Sequence, residues 1–140
     1  HKRAVIVSNA EEQLGDAIEE GFVLRPSLFG GCLELFGMKD WRAMQDKLGK
    51  LNPFKAENLM LIRRFNAGAR MVKVDANGRL QIPKDLIEKT NLVKEVVMTS
   101  VIDRMQIWDR SLKDIEDSKM SEKELAEMLT AKLGDMDFIG

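Results

Sequence analysis

The chain has 140 residues, 44% of them apolar and 32% charged, with a formal net charge of −1. This suits one globular domain or two small half-domains and argues against a membrane protein, because no apolar run approaches the ~20 residues of a spanning helix. The lone cysteine, Cys32, excludes an internal disulfide and a Cys-x-x-Cys metal site, and the lone histidine, His1, leaves no His-based triad or zinc centre within one chain.

In chain order, Ala4–Val7 reads as a short buried strand, too short to be the core of a signal peptide. Residues 8–20 are polar with a weak helical period. Phe22-Val23-Leu24 is a second strand, 26–31 a loop by its Pro, Ser and Gly content, and Cys32–Phe36 a third strand. From 38 the period becomes helical: Trp41, Met44, Leu48 and Leu51 recur on one stripe, with Asp40 as N-cap. Pro53 ends that helix and a second follows over 55–67, with Leu59, Ile62 and Asn66 on one stripe and Leu61 and Phe65 beside it. These stripes read as core packing, and Arg63-Arg64 as a solvated face.

Residues 70–74 form a strand, then comes Asp75-Ala76-Asn77-Gly78, then the strand Arg79–Ile82. Asn-Gly at the centre of a hairpin predicts positive φ at both residues. Pro83 stops the strand and opens a short helix over 84–90 at its first position. Residues 95–100 and 104–108 form another strand pair. In the tail, Ser121-Glu122-Lys123-Glu124 is a capping box. After it Leu125, Met128, Leu129 and Leu133 form an amphipathic stripe, Gly134-Asp135 ends the helix, and 136–140 reads as loose. Charge is divided unevenly: residues 1–110 hold 18 Lys/Arg against 15 Asp/Glu, and residues 111–140 hold 4 against 8. An acidic tail therefore masks a basic body in the total.

The chain also contains itself twice. Residues 2–12 align with 78–88, bringing Arg3 onto Arg79, Ile6 onto Ile82 and Glu12 onto Glu88. Residues 22–25 fall on 96–99, and 33–36 on 105–108. Both copies run strand, short helix, strand, strand, and each is too small to bury both faces of its sheet alone. The division is 1–38 for the first, N-terminally incomplete repeat, 39–68 for a connecting helical hairpin, 69–110 for the second repeat and 111–140 for an acidic helical tail.

At this point the sequence resembles the MraZ family of bacterial transcriptional regulators, within the SpoVT-AbrB superfamily of swapped-hairpin folds. The residues that carry the resemblance are Asp75-Ala76-Asn77-Gly78-Arg79 (a D-x-x-x-R motif), Ile82-Pro83, Lys94-Glu95-Val96-Val97 and Ile107-Trp108-Asp109. In the first copy they are Lys2-Arg3, Gln13-Leu14-Gly15, Phe22-Val23-Leu24, Cys32–Phe36 and Trp41. The likeness runs over residues 1–110. The first copy lacks the aspartate and has Lys2 where glycine is usual. The resemblance implies an α+β fold, mainly β with short helices. Its core is a pseudo-twofold pair of AbrB-like half-barrels, with a helical hairpin between them and a C-terminal helix. It implies a ring-shaped homo-oligomer that binds short tandem repeats in the promoter of the division and cell-wall gene cluster. Such a protein is cytoplasmic and nucleoid-associated, with no cofactor, membrane partner or small-molecule substrate.

The chemistry of the turn agrees. A tight two-strand ribbon is narrow enough for a major groove, and arginine offers five donors in a planar fork suited to phosphate or to guanine O6 and N7. Arg3 and Arg79, with Lys2, are the expected DNA contacts. Asp75, Asn77 and Gly78 are the expected structural residues of the turn. Two readings compete with this one. An assembly protein could use the same sheets and tail helix only to oligomerise, with Asp75–Arg79 a simple surface ion pair. An enzyme would need Glu11, Glu12, Asp40 or Asp46 to pair as catalytic acids, yet none lies in a motif with a nucleophile or metal spacing, so no catalytic or metal-binding residue is expected.

Overall fold

The computed structural model of the chain describes residues 3–6, 21–92 and 95–134. The helical period at 8–20, Lys2, Glu11, Glu12, Lys94 and the loose end at 136–140 lie outside the described residues. Within them the chain is α+β. Its elements are β1 (Arg3–Ile6), β2 (Phe22–Pro26), β3 (Leu33–Gly37), α1 (Met38–Gly49), α2 (Ala56–Ala67), β4 (Arg70–Val72), β5 (Arg79–Ile82), α3 (Lys84–Thr90), β6 (Val96–Val101), β7 (Arg104–Asp109), α4 (Arg110–Asp117) and α5 (Glu122–Leu133).

Five strands form one antiparallel sheet in the order β4-β2-β3-β7-β6, and β1 pairs with β5 in a separate two-stranded ribbon. The central strands β2 and β3 are apolar on both sides because both faces of the sheet are covered. One face carries Phe22, Leu24, Leu33, Leu35, Met105 and Ile107. These pack against Leu80 and Ile82 of β5, Leu86 of α3, and Leu92. The opposite face carries Val23 and Phe36 under the helical pair, which contributes Trp41, Met44 and Leu48 from α1 and Phe65 from α2. Burying each such side chain contributes about 1.5–3 kcal/mol, so both layers matter to stability. Trp41 stacks on Phe65 with ring centroids 5.6 Å apart, and Phe36 meets Trp41 edge-on at 5.4 Å. A reciprocal amide pair, Gln45 with Asn66 at 2.7 and 3.2 Å, ties α1 to α2.

Several expectations need correction. α1 begins at Met38, with Gly37 as an N-cap that makes no side-chain bond; Asp40 lies inside the first turn, where its charge favours the helix dipole. Pro83 is the N-cap of α3 rather than its first residue. In α2 the expected set is only partly buried: Phe65 is buried, Ile62 and Asn66 beside it are half-buried, and Leu59 and Leu61 are exposed, so the sheet and α1 are met by the Phe65 edge of the helix. α4 falls in the segment expected as a helical tail, but as a separate helix before α5 it was not expected. The hairpin 70–82 also differs. Only the bridge Val74↔Leu80 joins its two arms, after which β4 continues along β2 and β5 along β1. The cause is the alternation in β5. Leu80 and Ile82 are fully buried and Arg79 and Gln81 are exposed, so β5 lies across the face of the large sheet as a cover instead of extending it.

Candidate nucleic-acid interface

The turn between Val74 and Leu80 is built by one carboxylate. Oδ1 of Asp75 accepts the backbone N–H groups of Asn77 at 2.8 Å and of Arg79 at 3.0 Å. The main chain closes the same loop, with Gly78 N–H donating to Asp75 C=O at 3.0 Å and Asp75 N–H donating to Arg79 C=O at 2.8 Å. Of the two central residues only Gly78 has positive φ, 73°, whereas positive φ was expected at Asn77 as well. The reason is loop length. The four hydrogen bonds into and out of Asp75 define a four-residue turn that ends on a left-handed glycine, and that pattern needs one positive φ rather than the two of a two-residue loop. Asp75 thus occupies the aspartate position of an Asx-turn, and its side chain is engaged with backbone amides.

Arg79 leaves this turn exposed. Among the described residues its guanidinium has neither an ion pair nor a hydrogen bond; Asp75 binds the Arg79 amide, not its side chain. Two neighbouring cations are engaged elsewhere: Arg70 pairs with Asp85 and Lys84 with Glu88. A planar donor fork at the tip of an ordered turn can bind a phosphate or a base edge. The ribbon register places Arg3 opposite Ile82 and Ile6 opposite Arg79. The two arginines therefore sit at opposite ends of the ribbon, about 10 Å apart along it at ~3.4 Å per residue, rather than side by side.

A family model described as "MraZ protein, putative antitoxin-like" matches residues 65–132. A curated relative from Flavobacterium psychrophilum, named transcriptional regulator MraZ, is 41% identical over 138 residues, covering 97% of this chain and 88% of that protein. The chain belongs to the MraZ family. A relative of the same name from Christiangramia forsetii is 39% identical over 140 residues, covering 99% of this chain and 88% of the relative, and one from Clostridium tetani is 31% identical over 129 residues, covering 91% and 87%. MraZ proteins are thus named as regulators of transcription and not as enzymes. Of the acids considered for catalysis, Asp40 and Asp46 stand exposed on α1. Among the described residues no group of His, Cys, Asp or Glu could hold a metal ion, and no helix is long and apolar enough to cross a membrane. Burial pushes the Cys32 thiol up to about 11, the state of an inert core cysteine.

One feature of this MraZ chain had no sequence signal. Beneath the α1–α2 hairpin lies a cluster of buried charge. Glu34 and Arg104 pair at 3.2 Å, and Asp103 holds the other edge of Arg104 at 2.9 Å. That hydrogen bond is the main cause of an Asp103 carboxyl below the usual carboxylate range. Arg25 lies flat over the Phe65 ring at 4.2 Å and donates from Nε to Pro26 C=O, while its Nη1 is buried without a partner. Burial lowers the Arg25 pKa, opposed by the charge of Glu34. These arginines are fixtures of the core, not donors for a ligand. Of Arg25, Arg104 and Arg79, the one that faces outward is Arg79 on the turn.

Proposed function

We propose that this chain is a DNA-binding transcriptional regulator that assembles into a ring-shaped homo-oligomer. The ring presents Arg79, together with Arg3 and Lys2, to short tandem repeats in the promoter of the bacterial division and cell-wall gene cluster, in the cytoplasm at the nucleoid. The observation that carries this reading is the turn itself: Asp75 is occupied in ordering the loop, and Arg79 is left exposed with no partner among the described residues. A cross-turn ion pair, the main competing explanation for the motif, is absent from the described contacts of Arg79. Sheet registers support a pseudo-twofold relation between 1–38 and 69–110. Leu33 faces Ile107 and Leu35 faces Met105, with Glu34 and Gln106 directly opposed. Exchanging the aligned strands 33–36 and 105–108 returns the same pairs. β2 and β6 then flank this centre on either side.

A single turn binds weakly, because a few phosphate contacts give a Kd of only ~10⁻⁴–10⁻⁶ M at physiological salt. A ring repeating the turn along repeated DNA gains avidity of order 10²–10⁴. The test is titration of promoter DNA with the intact protein and with Arg79→Ala, at low and moderate salt, alongside particle mass in solution. The expected result is an unchanged mass, lost binding and a steep salt dependence in the parent. Undiminished binding by Arg79→Ala, or a flat salt response, favours an assembly protein with no DNA role.

A further inference from the structure

Two surfaces of opposite charge lie unused in the monomer. The helical hairpin, residues 39–68, holds seven Lys/Arg against three Asp/Glu, the most basic of the four segments of the chain. The tail, residues 111–140, is its reverse with four against eight. Both surfaces also expose apolar side chains. On α2 the outward face carries Leu59 and Met60 one turn before Arg63 and Arg64, with Met60 54% exposed, and the loop before it carries Phe54, 94% exposed, between Lys50 and Lys55. Among the described residues none of these four cations has an ion pair. On α5, Leu125, Met128 and Leu129 form an exposed stripe, flanked by Glu122 and Glu124.

The tail helix needs a partner for its own stability. It is 12 residues long, has no buried residue, and is capped at its start by the capping box between Ser121 and Glu124. Isolated helices shorter than ~12–15 residues are marginal in water, and a cap adds only about 1 kcal/mol. α4 packs beside β7 and β6, so the short connection at 118–121 starts α5 from a fixed point.

We propose that α5 of one copy docks along the exposed face of α2 of the next copy. Its apolar stripe covers Leu59, Met60 and Phe54, and its acids lie beside Arg63, Arg64 and Lys55. The proposal rests on the ring reading above and gives that ring its joint. Hairpin and tail are different surfaces, so the contact can repeat head-to-tail from copy to copy, which forms a ring when the rotation closes. Duplex DNA is the less suitable occupant of the hairpin, because phosphates would leave its apolar residues uncovered.

The test is disulfide trapping in the full chain without DNA. Met60→Cys and Met128→Cys are made in separate preparations, then mixed under mild oxidation; buried Cys32 does not compete. The expected result is a covalent pair containing one chain of each kind, formed at least tenfold faster than with Lys84→Cys in place of Met60→Cys. Trapping at the control rate overturns the proposal. So does trapping only within one chain carrying both cysteines. A further arm is Arg63→Glu with Arg64→Glu, expected to lower particle mass. If it weakens DNA binding and leaves the mass unchanged, the hairpin is a DNA surface and the proposal fails. Loss of DNA binding in Arg79→Ala with trapping intact would separate the two readings, since the joint is measured without DNA.

Discussion

Replacing Asp75 by alanine sets two physical effects against each other. The carboxylate takes up the amides of Asn77 and Arg79 at 2.8 and 3.0 Å. Hydrogen bonds to a charged group are worth about 1.5–3 kcal/mol net, and less at an exposed turn where water replaces the lost acceptor; two such bonds give about 1–2 kcal/mol of turn order. If Arg79 must be presented by an ordered turn, that cost enters DNA affinity as roughly a five- to thirtyfold loss per engaged turn. Coulomb's law alone predicts the opposite sign, because the substitution removes a negative charge beside a polyanion. Fluorescence anisotropy with a labelled promoter duplex at fixed salt decides between them. Asp75→Ala is expected to bind more weakly than the parent. Asp75→Asn keeps the Oδ1 acceptor while losing the charge, and is expected to bind at least as tightly as the parent. Tighter binding by Asp75→Ala would refute the reasoning, since the carboxylate would then act only as a repulsive charge.

Arg104→Ala strands Glu34, whose side chain is only 4% exposed, and is expected to cost about 3–5 kcal/mol in urea denaturation; a loss under ~1 kcal/mol would mean Glu34 finds another donor. Phe65→Ala removes the ring that joins Trp41, Phe36 and Arg25 and should cost about 3–5 kcal/mol, with a change in tryptophan fluorescence that reports the loss of the Trp41 stack. The Asp103 carboxyl is depressed in the fold, so its contribution is present above the ordinary value of 3.8 and is lost as pH falls through the lower folded value. Asp103→Asn should therefore flatten the pH dependence of stability below about pH 4, and an unchanged acid limb would count against the ion pair. Native Cys32, at about 11 against an ordinary 9.0, should react with a thiol reagent roughly a hundredfold more slowly at pH 8 than in the urea-unfolded chain.

The strands, the two central helices and the capped tail helix were legible because each carries a local signal: an apolar run, a helical stripe, Ser121 three residues before Glu124. What was not legible depended on tertiary partners. α4 is only eight residues long and offers only Leu112 and Ile115 as apolar residues, with Ile115 exposed, so its helical spacing is too brief to stand out in a charged tail. In α2 two adjacent stripes competed, and only the position of the sheet selects the Phe65 side. Arg25 looks like a surface residue until the β2–β3 register sets it opposite Glu34. At the candidate site the sequence indicated which residues build the turn. It did not indicate that one glycine alone would be left-handed, nor that Arg3 and Arg79 would fall at opposite ends of a ribbon; both depend on the number of bonds Asp75 collects and on a pairing between segments far apart in the chain.

The single bridge between Val74 and Leu80 has a practical corollary. The loop bearing Arg79 is closed at its tip by the bonds of Asp75 and one bridge, but beyond that bridge its arms part to two anchorages, β4 moored to β2 and β5 to β1. A synthetic peptide spanning 70–83 would lack both moorings and should not adopt the loop. Recognition by this motif is therefore not transplantable as a miniature: the smallest unit that can display it includes the first strand of the chain, more than half the sequence away.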